Sequence, residues 1–317
     1  MTRYPLITGA TGFAGSHLLD CLLAQGGRVH AWSNPSGRTP DRSTPNVTWQ
    51  TVDLLDRQAV SEALSASMPS AIYHCAGVAD VHGSWHAPGR ALRVNVIGTH
   101  HLLDAARTIG LTSPILITGS ALVYRPSTEP LTEDAPLGPR TPYGVSKLAQ
   151  EIVARDSGLT VLLARPFNHA GPRQDTSYVT SAFARQLAEV EAGRIEPVLR
   201  VGNLESKRDI TDVRDTVRAY RALVDRGTPQ RPYNVCCGRA YRIRDLLDIL
   251  LSLARVRVRV EQDPARLRPS DIPIVLGSAE RIRSETGWQP LIPIEETLAD
   301  LLEYWRTALT VPAPRPA

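Results

Sequence analysis

Near its beginning the chain reads Pro5-Leu6-Ile7-Thr8-Gly9-Ala10-Thr11-Gly12-Phe13-Ala14-Gly15, a short apolar run that leads into three spaced glycines. Residues 16–25 are apolar at helical spacing, and Gly26-Gly27 end the helix. The pattern predicts a strand, a glycine loop and a helix whose N-terminus binds the pyrophosphate of a dinucleotide, because glycines allow a tight turn and close approach of the backbone. The predicted cofactor contacts in this loop are Gly9, Thr11, Gly12, Phe13 and Ala14.

Strand patterns and helical patterns alternate along the first half of the chain. Strands are expected at 28–32, 47–52, 71–75, 114–118 and 159–164, and helices at 56–67, 90–109 and around Tyr143. Such alternation predicts an α/β fold with a parallel, doubly wound Rossmann sheet, whose ligands lie at the carboxyl ends of the strands. Asp53, Leu54, Ala76 and Gly77 follow such strands and are further predicted cofactor contacts.

The character of the sequence changes after Arg165, where prolines recur and helices are expected at 179–192, 213–225, 243–254 and 294–305. We interpret this part as a smaller mixed α/β unit that caps the sheet and binds the substrate. The expected domains are residues 1–165 with 211–236 for the dinucleotide, and residues 166–210 with 237–310 for the substrate.

The end of the second strand distinguishes the two nicotinamide cofactors. An acidic residue there would bind a ribose 2′-hydroxyl and repel a 2′-phosphate. This chain instead reads Ser33-Asn34-Pro35-Ser36-Gly37-Arg38, without a carboxylate. Asn34 and Arg38 are therefore predicted cofactor contacts that favour NADP, in its reduced form NADPH, while NAD is still possible.

Composition limits the classes of partner. The net charge of +4 and the pI near 9.0 come from scattered basic residues, and aromatic residues make up 5% of the chain. We therefore expect binding of anionic small molecules and no nucleic acid. No apolar run reaches the length of a bilayer and no signal pattern is present, so a cytoplasmic protein with no membrane partner is expected. The four cysteines show no ligand spacing, and no metal is expected.

Lysine is rare in this chain, and its position is informative. Of 36 basic residues, only Lys147 and Lys207 are lysines. Lys147 lies four residues after Tyr143, so the two side chains share one face of a helix, where the ammonium can lower the pKa of the phenol. A tyrosine with such a pKa exchanges protons near neutral pH. Alone, the pair also fits an ordinary exposed helical contact.

Several motifs in one order give the chain a family resemblance. The glycine loop, Asn95 after the fourth strand, Ser120 after the fifth, and Tyr143 with Lys147 resemble the extended short-chain dehydrogenase/reductases that modify nucleotide sugars. The resemblance implies catalysis by Ser120, Tyr143 and Lys147, with the tyrosine exchanging a proton with the substrate oxygen and the lysine holding the nicotinamide ribose. It also implies cofactor contacts from Asn95, Tyr143, Lys147, Pro166 and His169.

Segments in the second half of the chain indicate which branch of this family the chain resembles. Residues 165–172, 201–209 and 268–271, and the closing 286–290, are similar to segments of the GDP-mannose 4,6-dehydratases and the related GDP-4-keto-6-deoxysugar reductases. The resemblance implies a GDP-sugar substrate, because cations suit the diphosphate and amides suit the base. The substrate contacts expected on this basis are Ser84, Asn168, Val179, Asn203, Lys207, Arg208 and Arg268.

One position separates the two activities. The dehydratases place an acid shortly after the catalytic hydroxyl, whereas this chain reads Ser120-Ala121-Leu122. A leucine moves no proton, so we predict an NADPH-dependent reductase that acts at C4 of a GDP-4-keto-6-deoxyhexose and gives a product such as GDP-rhamnose. The alternatives are the 4,6-dehydratase, a C4 epimerase, and an NADP-binding sensor without turnover. A homodimer through the helices at 90–109 and Tyr143 is expected from the family.

Overall fold

The computed structural model of this protein describes residues 3–38, 40, 42–267 and 272–310. In chain order, the strands are β1 (Leu6–Thr8), β2 (Val29–Ser33), β3 (Val47–Thr51), β4 (Ile72–His74), β5 (Ile115–Thr118), β6 (Val161–Pro166), β7 (Asn168–Ala170), β8 (Val198–Val201), β9 (Lys207–Asp212), β10 (Pro232–Val235), β11 (Ala240–Arg242), β12 (Arg259–Gln262) and β13 (Ile274–Val275). The α-helices are α1 (Phe13–Leu23), α2 (Arg57–Ser67), α3 (Gly83–His86), α4 (Pro88–Leu92), α5 (Thr99–Thr108), α6 (Pro142–Arg155), α7 (Val179–Glu191), α8 (Val213–Arg226), α9 (Ile243–Ser252), α10 (Glu280–Thr286) and α11 (Ile294–Thr310).

A seven-stranded parallel sheet carries the glycine loop and the tyrosine helix. Its order is β10-β6-β5-β4-β1-β2-β3, and in register Ile7 of β1 lies between Ala31 of β2 and Tyr73 of β4. The order of strands reverses at the β1–β4 pair, and a ligand crevice opens at the carboxyl ends of the strands there. The predicted parallel, doubly wound sheet is confirmed.

Helices cover both faces of this sheet, which explains why its central strands β1, β4 and β5 are buried throughout. On one face α1 and α8 pack with residues such as Leu18 and Tyr220 into one core cluster. On the other face α2, α5 and α6 pack with residues such as Leu64 and Leu102 into a second cluster. Burial of each such leucine contributes about 1.5–3 kcal/mol relative to leaving it exposed, so the sheet is a rigid platform for the crevice.

A second unit is built from later parts of the chain. Strands β7, β9, β11 and β13 form a mixed four-stranded sheet, and β8 pairs with β12. Helices α7, α9 and α11 share its core, which includes Phe183, Leu246 and Leu298. Helix α8 and strand β10, although they come late in the chain, pack with the seven-stranded sheet.

The helix expected at 90–109 is interrupted. It consists of α4, a π-helical turn at Arg93–Gly98, and α5. A π turn accommodates an extra residue at the expense of regular hydrogen bonding and is common at functional sites. Here the turn contains Asn95, whose side chain is bonded to the β4 loop, and Gly98, where an added Cβ would lie 3.0 Å from Cβ of Leu54. The interruption thus follows from two long-range contacts.

Among the helices of the described residues, none is both long enough and apolar enough to cross a membrane.

Candidate active site

Helix α6 carries the tyrosine and the rare lysine. Its N-cap is Thr141, whose hydroxyl accepts a hydrogen bond from the amide of Gly144 at 2.9 Å, and Pro142 occupies the first turn. Tyr143 and Lys147 lie on the inner face of the helix, with 8% and 4% of their surface exposed. The alternative of an ordinary exposed pair is therefore excluded, because both side chains are buried beside the crevice.

Ser120 lies against Tyr143, as the sequence predicts. It follows β5 and caps a short 3-10 helix, Ala121–Val123, by accepting a hydrogen bond from the amide of Leu122 at 3.1 Å. The hydroxyl is close enough to the side chain of Tyr143 to oppose the rise in the pKa of that phenol. Because the capping bond uses only an acceptor site, the hydroxyl hydrogen is available to the phenol or to a substrate oxygen.

Lys147 is held by two acceptors. Its Nζ donates to the carbonyl oxygen of Thr118 at 2.8 Å and to Oε1 of Gln150 at 3.0 Å. The amide of Gln150 in turn donates to Oγ1 of Thr99 at 2.8 Å. Gln150 was not predicted from the sequence, although its position one turn after Lys147 on the buried face of α6 is the pattern that marks it.

A buried histidine extends this network to the glycine-loop strand. His74 Nδ1 lies 2.8 Å from Oγ1 of Thr8, and its Nε2 lies 2.9 Å from Oγ1 of Thr99. Thr8 accepts from the amide of Ala76, and Thr99 donates to the carbonyl of Asn95. These bonds fix a neutral ring that accepts at Nδ1 and donates at Nε2, and burial lowers the pKa of His74 to about 3. The network joins β1, β4, α5 and α6 beneath the crevice.

The expected depression of the tyrosine pKa is wrong. Burial raises the pKa of Tyr143, the nearby Tyr178 raises it further, and the hydroxyl of Ser120 only partly opposes them. The reason is geometric, since the ammonium of Lys147 lies 6.0 Å from the centroid of the phenol ring and is turned toward its two acceptors. Burial also lowers the pKa of Lys147 to about 8.

Asn95 fixes the loop after β4. Its Oδ1 accepts from the amide of Val78 at 2.8 Å, while its amide donates to the carbonyl of Val78 and to Oγ of Ser146. A Cβ at Gly77 would lie 2.8 Å from this Oδ1. Asn95 was predicted to contact the cofactor, but its side chain is fully buried and bonded to protein groups. Asn95 therefore holds the loop after β4 and helix α6 in position.

The glycine loop has the geometry that a pyrophosphate needs. Gly9 has φ of +68°, and a Cβ there would lie 2.7 Å from backbone atoms of Ala76. A Cβ at Gly15 would overlap the carbonyl oxygen of Gly9. Helix α1 begins after Gly12 without a side-chain cap and without acidic residues in its first turn. Its first amides, at Phe13 and Ala14 among others, can therefore bind an anion at the positive end of the helix dipole, and these residues fit a dinucleotide.

Other predicted cofactor contacts lie around the same crevice. The ring of His169 stacks on that of Phe13 with centroids 5.5 Å apart, and Pro166 ends the neighbouring β6. Asp53 accepts a hydrogen bond from the amide of Leu55, and Leu54 is buried against the π turn. The two halves of the chain therefore meet directly over the start of α1.

The loop after β2 contains two arginines, Arg38 and Arg42, and residues 34–38, which directly follow the strand, include no carboxylate. Asn34 is engaged in a turn, since its Oδ1 accepts from the amide and the hydroxyl of Ser36 at 2.9 Å each. Arg38 is exposed and near Asp175, whose pKa is lowered by hydrogen bonds with Ser177 and further by Arg38. Arg42, which the sequence did not single out, donates to Oγ1 of Thr51 at 3.1 Å, at the carboxyl end of β3.

The predicted substrate contacts are distributed over several elements. Ser84 is buried beside α6, where its hydroxyl accepts from the amide of Tyr143 at 3.2 Å. Val179 begins α7, and Asn168 pairs with Ile210 across β7 and β9. The remaining predicted contacts, Asn203, Lys207 and Arg208, lie at and just before the start of β9, and Arg268 lies outside the described residues.

Two carboxylates near the missing acid are engaged elsewhere. Leu122 occupies the 3-10 turn after Ser120. Glu133 accepts from the amide of Asn234 at 2.8 Å, and Asp134 pairs with Arg281 at 2.7 Å. Both belong to the contact between the 125–138 loop and α10 and β10. Both carboxylates are therefore occupied by partners other than Tyr143.

Comparison with known proteins assigns nearly the whole chain to one family. The GDP-mannose 4,6 dehydratase family matches residues 6–301. A GDP-6-deoxy-D-mannose reductase from Pseudomonas aeruginosa is 36% identical over 314 residues, which cover 97% of this chain and 98% of that protein. A GDP-mannose 4,6-dehydratase from Vibrio cholerae serotype O1 is 26% identical over 353 residues, with coverage of 95% and 92%.

Solved structures agree with this assignment. RMD from Pseudomonas aeruginosa, complexed with NADPH, matches with a TM-score of 0.84 and 34% identity over 97% of this chain and 100% of that one. A UDP-glucose 4-epimerase from Thermotoga maritima with UDP-glucose matches with a TM-score of 0.86 and 25% identity over 97% and 100%. This chain belongs to the GDP-mannose 4,6-dehydratase family of the extended short-chain dehydrogenase/reductases.

Proposed function

We propose that this chain is an NADPH-dependent reductase that converts a GDP-linked 4-keto-6-deoxyhexose into a GDP-6-deoxyhexose, such as GDP-rhamnose, by reduction at C4. The observation that carries the proposal is the proximity of Ser120 to Tyr143 beside the crevice. Two residues after Ser120, the chain has Leu122 where the dehydratases have an acid. Elimination of water needs an additional proton carrier, whereas reduction of a ketone needs one proton donor and a hydride. The similarity to a GDP-6-deoxy-D-mannose reductase supports the same activity.

Three side chains have separate roles in the proposed reduction of the ketone. Bound NADPH supplies the hydride. Tyr143 donates its phenolic proton to the C4 oxygen, and its raised pKa keeps the phenol protonated, which is the state that reduction requires. Ser120 donates a hydrogen bond to the same oxygen as negative charge develops there. Lys147, with a pKa lowered to about 8, is mainly charged at neutral pH and stabilises the phenolate that remains.

For the cofactor, we propose NADP in preference to NAD. Arg38 and Arg42 lie in the loop after β2, and Arg42 is anchored at the end of the adjacent β3. Two guanidinium groups suit a 2′-phosphate, which a carboxylate directly after β2 would repel. The predicted contacts in the glycine loop and at Leu54, Gly77, Lys147 and His169 complete the proposed dinucleotide site.

The GDP-sugar is proposed to lie between the sheet and the second unit. Ser84, Asn168, Val179, Asn203, Lys207, Arg208 and Arg268 are its proposed contacts, as the family resemblance implies. Correspondingly, we propose that residues 1–165 with 211–236 form the dinucleotide domain, and that residues 166–210 with 237–310 form the sugar-nucleotide domain. The packing of α8 and β10 against the seven-stranded sheet supports this division.

NADPH oxidation with the GDP-4-keto-6-deoxyhexose tests the proposal. The wild-type protein should consume one NADPH for each ketone reduced. Tyr143→Phe should lower the rate about 10²–10⁴-fold, because the proton donor is lost. Tyr304→Phe on α11 is the matched control and should keep the wild-type rate. Conversion of GDP-mannose without net NADPH consumption would identify a dehydratase or an epimerase, and NADPH binding without turnover would identify a sensor.

We further propose a homodimer. Leu92, Ile97, Val145 and Ile152, on α4, the π turn and α6, are 40–52% exposed although they are apolar. These elements are neighbours, so the side chains offer an apolar face on the side of α6 opposite Tyr143. Light scattering should give twice the chain mass, and Ile152→Asp should give a monomer. A wild-type monomer would contradict the proposal. A cytoplasmic location is also proposed, to be tested by cell fractionation.

A further inference from the structure

Residues 171–178, which we call the crossing segment, connect β7 to α7 and contact the cofactor helix α1. The segment belongs to the second unit, since it leads into Val179 at the start of α7. Helix α1, which the segment contacts, belongs instead to the seven-stranded unit. The crossing segment is therefore a direct mechanical connection between the proposed cofactor site and the proposed sugar-nucleotide site.

Arg173 makes the main connection. Its Nη2 donates to Nδ1 of His17 at 2.8 Å and to Oδ2 of Asp20 at 2.6 Å. His17 Nε2 lies 2.8 Å from the carbonyl oxygen of Pro172. Since Nδ1 accepts from a guanidinium, the ring proton is on Nε2 and is donated to Pro172. Burial lowers the pKa of His17 to about 4, so the ring stays neutral and can accept this bond.

The backbone of Arg173 is strained, and neighbouring contacts hold it in place. Its φ is +72°, in the left-handed region that costs a residue with a Cβ about 1 kcal/mol or more. The next residue, Gln174, donates from Nε2 to the carbonyl of His169 at 2.6 Å and accepts from Oγ of Ser181 at its own carbonyl. Glycine would adopt such a conformation at lower cost. The arginine side chain, however, makes the bonds to His17 and Asp20 that glycine could not make.

The other end of the crossing segment lies over the catalytic tyrosine. Tyr178 donates from its hydroxyl to the carbonyl oxygen of Ala79, in the loop after β4, at 3.1 Å. It is also close enough to Tyr143 to influence the acidity of that phenol. The segment therefore contacts two borders of the crevice, the glycine-loop helix through Arg173 and the β4 loop through Tyr178.

We propose that Arg173 is a positioning residue, which holds His17 and Asp20 and so sets the crossing segment and the start of α7 at a fixed place relative to the cofactor and Tyr143. The inference rests on the proposed function, because it assigns the start of α7 to the sugar nucleotide. Arg173 touches neither the substrate nor the reacting atoms in this role. Its loss should leave the fold and the dinucleotide site intact while the sugar nucleotide is held less well.

Arg173→Gly separates this role from a purely structural one. Glycine relieves about 1 kcal/mol of strain at the φ of +72°, which offsets most of the stability lost with the side-chain bonds, so the melting temperature should stay close to that of the wild type. Loss of the charge-assisted bonds, worth about 1.5 kcal/mol, should lower kcat/KM for the GDP-sugar about tenfold, mainly through KM. The Kd for NADPH should stay within about twofold, since the bonds lie on the side of α1 and not at its N-terminus.

Two further variants complete the test. Arg173→Lys should restore part of the lost kcat/KM, because an ammonium can still pair with Asp20. Arg57→Ala removes an ion pair of 2.7 Å between α2 and α5 that does not involve the crossing segment, and should leave KM for the GDP-sugar unchanged. Wild-type KM and kcat in Arg173→Gly would overturn the proposal. A fall in melting temperature that parallels the loss of activity would also overturn it, because the contact would then only support the fold.

A separate measurement distinguishes failure of the proposed function. If the wild type fails to reduce the GDP-4-keto-6-deoxyhexose, calorimetric titration with GDP-mannose and with NADPH decides the inference without turnover. Arg173→Gly should then weaken binding of GDP-mannose about tenfold and spare NADPH, corresponding to the same loss of about 1.5 kcal/mol. Equal affinities of the wild type and the variant for GDP-mannose would overturn it.

Discussion

Replacing Gln150 should shift the alkaline limb of the pH profile, because this buried amide is one of two acceptors for the ammonium of Lys147. The Nζ–Oε1 distance is 3.0 Å, and Gln150 is fully buried. In Gln150→Met the ammonium keeps only the carbonyl of Thr118. Loss of a hydrogen bond to a charged group costs about 1.5–3 kcal/mol, which corresponds to about 1–2 pKa units.

The direction of the shift follows from the form that is destabilised. The pKa of Lys147 is about 8 in the folded protein. Removing an acceptor disfavours the charged amine, so the pKa should fall to about 6–7 in Gln150→Met. In Gln150→Glu a carboxylate would face the ammonium, which favours the charged form and should move the pKa upward. The two variants should thus shift the same limb in opposite directions.

Stopped-flow measurement of NADPH oxidation against pH checks this reasoning. The rate should fall above the pKa of Lys147, where the phenolate of Tyr143 loses its charged neighbour. Gln58→Met, at an exposed site on α2, is the control and should leave the limb in place. Near-ultraviolet circular dichroism should establish that each variant is folded. An unchanged limb in both Gln150 variants would refute the role assigned to the amide.

Three further predictions concern stability and cofactor choice. Glu151→Gln should lower the free energy of unfolding by about 3–5 kcal/mol in urea titrations, because the guanidinium of Arg165 is left buried without the carboxylate that it contacts at 2.7 Å. Stability should decrease as the pH falls below about 6.5 and toward 4, because the unfolded chain protonates His17 and His74 while burial holds their folded pKa values near 4 and 3. Arg42→Ala should raise KM for NADPH about tenfold and leave KM for NADH unchanged, since one phosphate contact of about 1.5 kcal/mol is lost.

Each of these three predictions would be contradicted by a specific result. A loss below 1 kcal/mol in Glu151→Gln would show that the partners that Arg165 keeps, such as the hydroxyl of Tyr124 to which its Nη1 donates at 2.9 Å, are sufficient. A flat stability between neutral pH and about 4 would contradict the buried neutral histidines. Equal effects of Arg42→Ala on NADPH and NADH would indicate a general role for the loop and not recognition of the 2′-phosphate.

Local sequence determined the elements that carry the chemistry. The glycines at 9 and 15 specify the turn because close backbone contacts there leave no room for a Cβ, and a Cβ at Gly12 would lie 3.1 Å from the carbonyl oxygen of Gly9. Tyr143 and Lys147 were assigned to one face of a helix, since a spacing of four residues places side chains together wherever an α-helix forms. Periodicity likewise identified the first six strands of the seven-stranded sheet, β1 to β6.

Tertiary contacts decided what those side chains experience. The spacing of Tyr143 and Lys147 suggested a lowered phenol pKa, but desolvation prevails, and the ammonium faces Thr118 and Gln150 instead. The bond between His17 and Arg173 joins residues 156 positions apart. A repeating pattern reports which face of an element is buried, but not which distant group will meet it there. The family and the parallel sheet were therefore readable from the sequence, whereas the acidity of Tyr143 and the connection across the crevice follow only from how the chain packs.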